Sequence, residues 1–378
     1  MAIIFNEDQE LLRQAMRDLM ASENWETYFN ECDIKHEFPE RFCIALGELG
    51  LHSMINPPEY GGLEEDAFTT FCACWEEVLR YGGNAACIWS STTYPVLLRE
   101  GNEKQKKIAQ ELMATNKVLV CNAATEPGAG SDLGAMQTTY RIDGDKIYIN
   151  GHKTFATDAL ISEYMIITAL DAETMSKYTN FFFPVNLPGI KISPLDKLGL
   201  RTNSACEIYL DNVEIELDDM FGEEGAGFDM QKSDFNVERV ISALYTYGYA
   251  LCAFEDAAKY ANQRVQFGSV IARQPIIQQK LVDMACKIEN MRNMVYEGAY
   301  KCDHGTLEPG YAAMCKYYCV KAAQEVCDDA LQILGGVGIC AEHRVARLWR
   351  DCRASRISGG TDEMMARTLG RKIVKMYK

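Results

Sequence analysis

The stretch from Ser233 to Gly268, opening SDFNVERV and closing YANQRVQFG, constrains this chain most. From Val240 the apolar residues Val240, Leu244, Tyr247, Leu251, Phe254, Ala258 and Ala261 alternate steps of four and three, the period of one helix face. A second apolar line, Ile241, Tyr245 and Cys252, makes the segment adhesive on more than one side. Such a helix belongs inside a bundle rather than on its surface. Glu238 and Arg239 stand just ahead of this pattern and read as first-turn residues. A carboxylate there is favoured by the helix dipole, so taken alone Glu238 is simply a helix-start residue.

A chain of 378 residues exceeds one simple core and suits two or three packed units. A net charge of −16 argues against nucleic-acid binding, which needs a basic footprint. No apolar run approaches the roughly 20 residues of a membrane span, and MAIIFNEDQE lacks a signal-type block. No membrane insertion and a cytoplasmic location are therefore expected. The 15 cysteines then read as reduced thiols. With no C-x-x-C pair and no H-x-x-x-H pair, no metal site is expected.

Three regions follow one another. Residues 1–117 read as helical. Asn6 with Gln9 forms a capping pair, PERFCIALGELGLHSM makes a second helix, and further helices are expected over 67–80 and 94–114. Residues 118–228 change character. VLVCNA, KIYING, YMIITAL, NFFFPV and CEIYLDNVEI are strand-like runs, and YRIDGDKIYI is a hairpin with Asp143-Gly144 at its turn. Strands at this spacing suggest an antiparallel barrel or sandwich. Residues 229–378 are helical again, with helices over 235–263, 275–302, 310–334, 342–354 and from about 362. The loop Thr125-Glu126-Pro127-Gly128-Ala129-Gly130-Ser131-Asp132 combines close backbone approach with hydroxyl donors, although a plain loop is the default for such a stretch. GGVG at 335–338 follows a helix and lacks the dinucleotide spacing.

TEPGAGSD, NGHKTFATDA, QRVQFG, QILGGVG and SGGTDE, in that order across nearly the whole chain, resemble the acyl-CoA dehydrogenase family. The resemblance implies an α+β fold: an N-terminal helical domain (1–117), a middle antiparallel β-barrel domain (118–228) and a C-terminal four-helix-bundle domain (229–378). It implies non-covalent FAD, a homotetramer, an acyl-CoA or enoyl-CoA substrate and an electron-transfer flavoprotein as electron partner. For FAD it implies Asn122, Thr125, Gly130 and Ser131, then Phe155 and Thr157 beside the ring, with Ser131 also between cofactor and CoA. Arg264, Phe267 and Gln274 would reach the FAD of a neighbouring subunit, Gln332, Gly335 and Gly336 its adenosine end, and Thr361 the FAD of the same subunit.

Many family members place the catalytic glutamate just before Gly-Thr in the last loop, where this chain has Gly359. A minority place it on the central helix beside an arginine, which Glu238-Arg239 matches. The resemblance thus makes Glu238 the catalytic carboxylate, with Ser131, Arg239 and Gly359 at the substrate. MASENWETYFNECD, CAFEDAAKYANQRVQFG and WRDCRASRISGGTDEM bring the chain nearer to the branch that reduces 2-enoyl-CoA thioesters bearing a trimethylammonium group. Two other readings stand beside it: oxidation of a short or branched acyl-CoA by the same residues, and a catalytically silent CoA-binding or scaffold protein on the same fold.

Overall fold

The computed structural model describes residues 4–378. The first third consists of α1 (Glu7–Ser22), α2 (Trp25–Lys35), α3 (Glu40–Glu48), α4 (Ala67–Arg80), α5 (Ser90–Glu100) and α6 (Glu103–Met113). The middle third contains β1 (Val120–Ala123), β2 (Thr139–Asp143), β3 (Lys146–Thr157), β4 (Tyr164–Asp171), β5 (Tyr178–Pro184), β6 (Ile190–Leu195), β7 (Ala205–Glu216) and β8 (Met220–Phe221). The last third begins with α7 (Gly227–Gln263), a small hairpin of β9 (Val265–Gln266) and β10 (Ser269–Val270), and α8 (Pro275–Asp303). It ends with α9 (Pro309–Leu334), α10 (Arg344–Ser355) and α11 (Asp362–Met376). Among the described residues, no helix is long and apolar enough to cross a membrane.

Local chemistry explains most boundaries. The Gln9 N–H donates to Asn6 Oδ1 at 2.8 Å and the Asn6 N–H to Gln9 Oε1 at 3.0 Å, the reciprocal cap read from the sequence. The same pairing by Asn102 and Gln105 starts α6, so the helix expected over 94–114 is two helices broken at Gly101-Asn102. The sequence reading left out α2. Its Trp25 and Phe29 pack with Phe42 of α3 in an aromatic group. At the hairpin, Asp143 pairs with Lys146, so the turn is Gly144-Asp145 rather than Asp143-Gly144. Gly144, at φ 65°, supplies the left-handed backbone there.

The middle sheet runs β6-β7-β3-β2-β4-β5-β8, with β1 on β4. Most pairs are antiparallel as expected, but β1 and β2 both pair with β4 in parallel. These pairings bring the start of the region back beside its centre and set Asn122 opposite Ile166. The middle region has its own core around Ile147, Ile149, Phe181 and Ile208. Helices of the first and last thirds instead share one core, in which Phe71, Trp75 and Val78 of α4 meet Leu244 and Tyr247 of α7.

Helix α7 begins at Gly227, well before the expected start, which places Glu238 three turns inside it. The helix dipole acts only within the end turns, so the helix-start reading of Glu238 fails. Apart from half-buried Ala258, both apolar lines of α7 are buried or packed against the core. A Cβ on Gly248 would lie 2.4 Å from Leu79 Cβ, so α7 and α4 meet backbone to side chain with no room between. Gly248→Ala should therefore lower the apparent melting temperature by about 1–4 °C, because overpacking of roughly 1–3 kcal/mol outweighs the gain in helix propensity. Thermal unfolding followed by circular dichroism checks this.

Candidate active site

Where α4, α5, β1, α7 and the end of α8 converge, they enclose a cavity of about 340 Å³. Its lining includes Phe68, Arg99, Asn122, Phe221, Asp234, Val237, Glu238 and Asp303. Asp234 and Glu238 are one helical turn apart on one face of α7. Asp303 is held by the start of α4: the Phe68 N–H donates to it at 2.6 Å, and the Thr69 N–H and hydroxyl donate at 3.0 and 2.6 Å. This cap ties α8 to α4 and fixes one end of the cavity.

The carboxyl of Glu238 has no hydrogen-bond partner and no ion pair among the described residues. Burial pushes its pKa up to about 7; neighbouring Asp234 adds to the rise, while Arg239 and Lys316 oppose it. Burial also raises Asp234, to about 6. A carboxyl poised near neutrality can both give and take a proton in the working pH range. Arg239 donates from Nη1 to Asn236 Oδ1 at 3.0 Å, while its Nε is buried without a partner.

Gly359 lies in the loop between α10 and α11 with φ 62°, and a Cβ there would sit 3.8 Å from Ser242 Oγ and from Lys316 Cε. Ser242 follows Glu238 by one turn on the same face of α7, so the loop faces the row that carries the carboxyl. Thr361 caps α11, its hydroxyl accepting from the Met364 N–H at 3.3 Å.

On the middle domain, Asn122, Ser131, Phe155 and Thr157 are exposed. Phe155 and Thr157 are both exposed on either side of buried Ala156, at an irregularity in the pairing of β3 with β7. Phe155 adopts φ 56°, and 62% of its surface is open, so an aromatic ring is presented rather than buried. The Thr154 N–H donates to the Thr125 carbonyl at 2.9 Å, joining the Gly-rich loop to that strand. A buried ion pair locks the two together: Lys153 Nζ donates to Glu126 Oε1 at 2.9 Å and to the Ala124 carbonyl at 3.2 Å. Glu126 also accepts from the Gln137 and Thr138 N–H groups at 2.6 and 3.0 Å. Nothing lies within 4 Å of where side chains on Gly128 and Gly130 would stand.

Of the expected site residues, Asn122 and Glu238 line this cavity and the others do not. Arg264, Phe267, Gln274, Gln332, Gly335 and Gly336 are exposed at the ends of α7, α8 and α9, and Phe267 is 99% open. Sequence reasoning missed Asp234, Asp303, Arg99 and Lys316. Each is a charged residue in an ordinary helical pattern, and only the packing of distant helices brings them together.

With this geometry in hand, the comparisons are decisive. The acyl-CoA dehydrogenase N-terminal, middle and C-terminal domain profiles match residues 6–117, 121–213 and 225–374. The chain belongs to the acyl-CoA dehydrogenase family. It is similar to a glutaryl-coenzyme A dehydrogenase in complex with glutaryl-CoA, with 28% identity, 99% of this chain and 97% of that one covered, and a TM-score of 0.92. It is also similar to butyryl-CoA dehydrogenase from Megasphaera elsdenii, with 28% identity, 99% and 100% covered, and a TM-score of 0.91. A chain from a structure described as the electron transferring flavoprotein of Acidaminococcus fermentans matches at 27% identity, 99% and 100% covered, and a TM-score of 0.90.

This acyl-CoA dehydrogenase is an FAD-dependent oxidoreductase acting on CH–CH groups. Its own surface fits the cofactor: an open aromatic face at Phe155, hydroxyls at Ser131 and Thr157, and a loop with glycine space for close approach.

Two outcomes follow. Lys153→Met leaves the Glu126 carboxylate buried without its ammonium, a change of roughly 3–5 kcal/mol for a buried pair. The variant should release FAD more readily and melt earlier, as flavin fluorescence and calorimetry would record. For Glu238 the sign is the reverse. The folded protein binds its proton more tightly than the unfolded chain, so its contribution to stability is lost as the pH rises from the ordinary carboxyl value of 4.5 to about 7. Glu238→Gln, which cannot ionise, should gain melting temperature relative to the parent across that window and keep the gain above it.

Proposed function

We propose that the protein reduces crotonobetainyl-CoA to γ-butyrobetainyl-CoA, with Glu238 giving a proton to the α-carbon of the thioester. The acidic lining of the Glu238 cavity carries this reading. Asp234, Glu238 and Asp303 face one space with a single guanidinium, Arg99, at its exposed edge. Asp234, ionised above about 6 while Glu238 keeps its proton, favours a cationic tail, and the aromatic side chains Phe68 and Phe221 in the same lining attract a trimethylammonium group by roughly 0.5–2 kcal/mol per good contact. A volume of about 340 Å³ suits a short tail. The likeness of the stretches at 20–33, 252–268 and 349–364 to the trimethylammonium-reducing branch supports the same conclusion.

Asn122, Thr125, Gly130, Ser131, Phe155, Thr157 and Thr361 would hold FAD, which would supply hydride chemistry at the β-carbon with electrons from an electron-transfer flavoprotein. Glu238, protonated below about 7, holds the proton destined for the α-carbon. The Gly359 N–H meets the charge that develops on the thioester oxygen. Arg264, Phe267, Gln274, Gln332, Gly335 and Gly336 serve the FAD of a neighbouring subunit in a cytoplasmic homotetramer. Their exposure, above all that of Phe267, suits residues that a second chain or its cofactor covers.

A second reading, oxidation of a short acyl-CoA, is favoured by the likeness to butyryl-CoA dehydrogenase and uses the same residues with Glu238 as base. The two protonation states give opposite pH limbs. Reduction should slow as the pH rises through about 7, and oxidation should quicken. Substrate choice is tested by reoxidation of the reduced flavin under anaerobic conditions. Crotonobetainyl-CoA should exceed crotonyl-CoA in efficiency at limiting concentration, and equal efficiencies would overturn the betaine reading. Asp234→Asn should cut that preference by about fivefold or more, the worth of one nearby charge. Any change it makes in the acidity of Glu238 affects both substrates alike and cancels in the ratio.

A further inference from the structure

We infer that Lys316 is the positioning residue of the 358–360 loop: it turns the Gly359 N–H outward as the donor for the thioester oxygen. Lys316 stands on α9 with its side chain fully buried. Its Nζ donates to the Ser358 carbonyl at 2.5 Å and to the Gly360 carbonyl, one on either side of Gly359. A trans peptide is planar, and its C=O and N–H point opposite ways. Gripping the Ser358 carbonyl therefore drives the Gly359 N–H away from the ammonium.

Two further observations fit this role. The Gly359 N–H makes no hydrogen bond among the described residues. Gly359 and Gly360, at φ 62° and 98°, form a left-handed turn with no sheet or helix ladder to fix it, so the ammonium is what holds its carbonyls. The loop also faces the right place, with Gly359 beside Ser242 on the face of α7 that bears Glu238.

The choice of a lysine matters. The groups that face it are Arg239 and Glu238 of α7 and Asp362 of α11, and none forms an ion pair with it among the described residues. An unpaired buried ammonium is a costly tie for a loop. It becomes useful where negative charge develops on the far side of the peptides it grips, because it polarises those peptides in the helpful direction.

This inference rests on the reading that the thioester is activated beside Glu238, but not on the acyl tail or the direction of reaction. It is tested on the full-length, FAD-loaded protein with Lys316→Met. The probe is acetoacetyl-CoA, a 3-oxo thioester that ionises to an absorbing enolate without being turned over. The variant should retain FAD and melting temperature near the parent's, lose the enolate absorbance of the bound probe, and drop in kcat on the order of 10²-fold with KM little changed. Lys316→Arg, which keeps a charged donor, should recover part of both. A folded Lys316→Met that keeps kcat and the enolate signal within about twofold, or that changes only KM, would overturn the inference. If the methionine variant does not fold, Lys316→Gln is scored by the same two readouts. Failure of the betaine reading would leave the enolate result unchanged, so the two are separable.

Discussion

Everything in this site depends on keeping one half-buried carboxyl uncommitted in a poorly solvated cavity. Glu238 lies three turns into α7, just ahead of the fully buried stretch that begins at Val240, and no side chain takes up its oxygens. Burial and the nearby Asp234 then set its acidity close to neutrality. An ion pair at that position would have fixed the charge and removed the chemistry. Arg239 is adjacent in sequence, yet its guanidinium is directed to Asn236 instead.

The rest of the molecule arranges partners around that group. The first and last thirds share a core, which fixes α4 and α7 so closely that a Cβ at position 248 would overlap Leu79. The middle domain has a separate core, and its exposed edge carries Ser131, Phe155 and Thr157, the residues proposed to face the flavin. Its Gly-rich loop is not a free loop. The Glu126–Lys153 pair and the Thr154–Thr125 hydrogen bond fasten it to β3, so a segment made of conformationally permissive residues still presents a defined surface.

Much of this was legible in the chain. The helix periodicity of 240–261, the capping pair at Asn6, the change to strands near 118 and the order of the five motifs are local signals, and they carried the architecture and the family. Less was legible where distant segments meet. The true start of α7 was obscured because Gly227 to Lys232 carries no helix-start signature. The parallel pairing of β1 with β4 depends on a long return of the chain. Lys316 looks like any helical lysine, and its role comes from carbonyls 42 and 44 residues away. Asp303 looks like a helix-end residue, yet it caps a helix 235 residues away in sequence and faces the cavity.

The central claim is that Glu238 is the group that exchanges the α-proton. Glu238→Gln keeps the shape and removes the ionisable acid, and the cofactor residues lie elsewhere. In a single turnover of the reduced enzyme with crotonobetainyl-CoA, the account predicts a rate lower by roughly 10²–10⁴-fold with FAD content unchanged. A rate near that of the parent protein would contradict it and place the proton donor elsewhere.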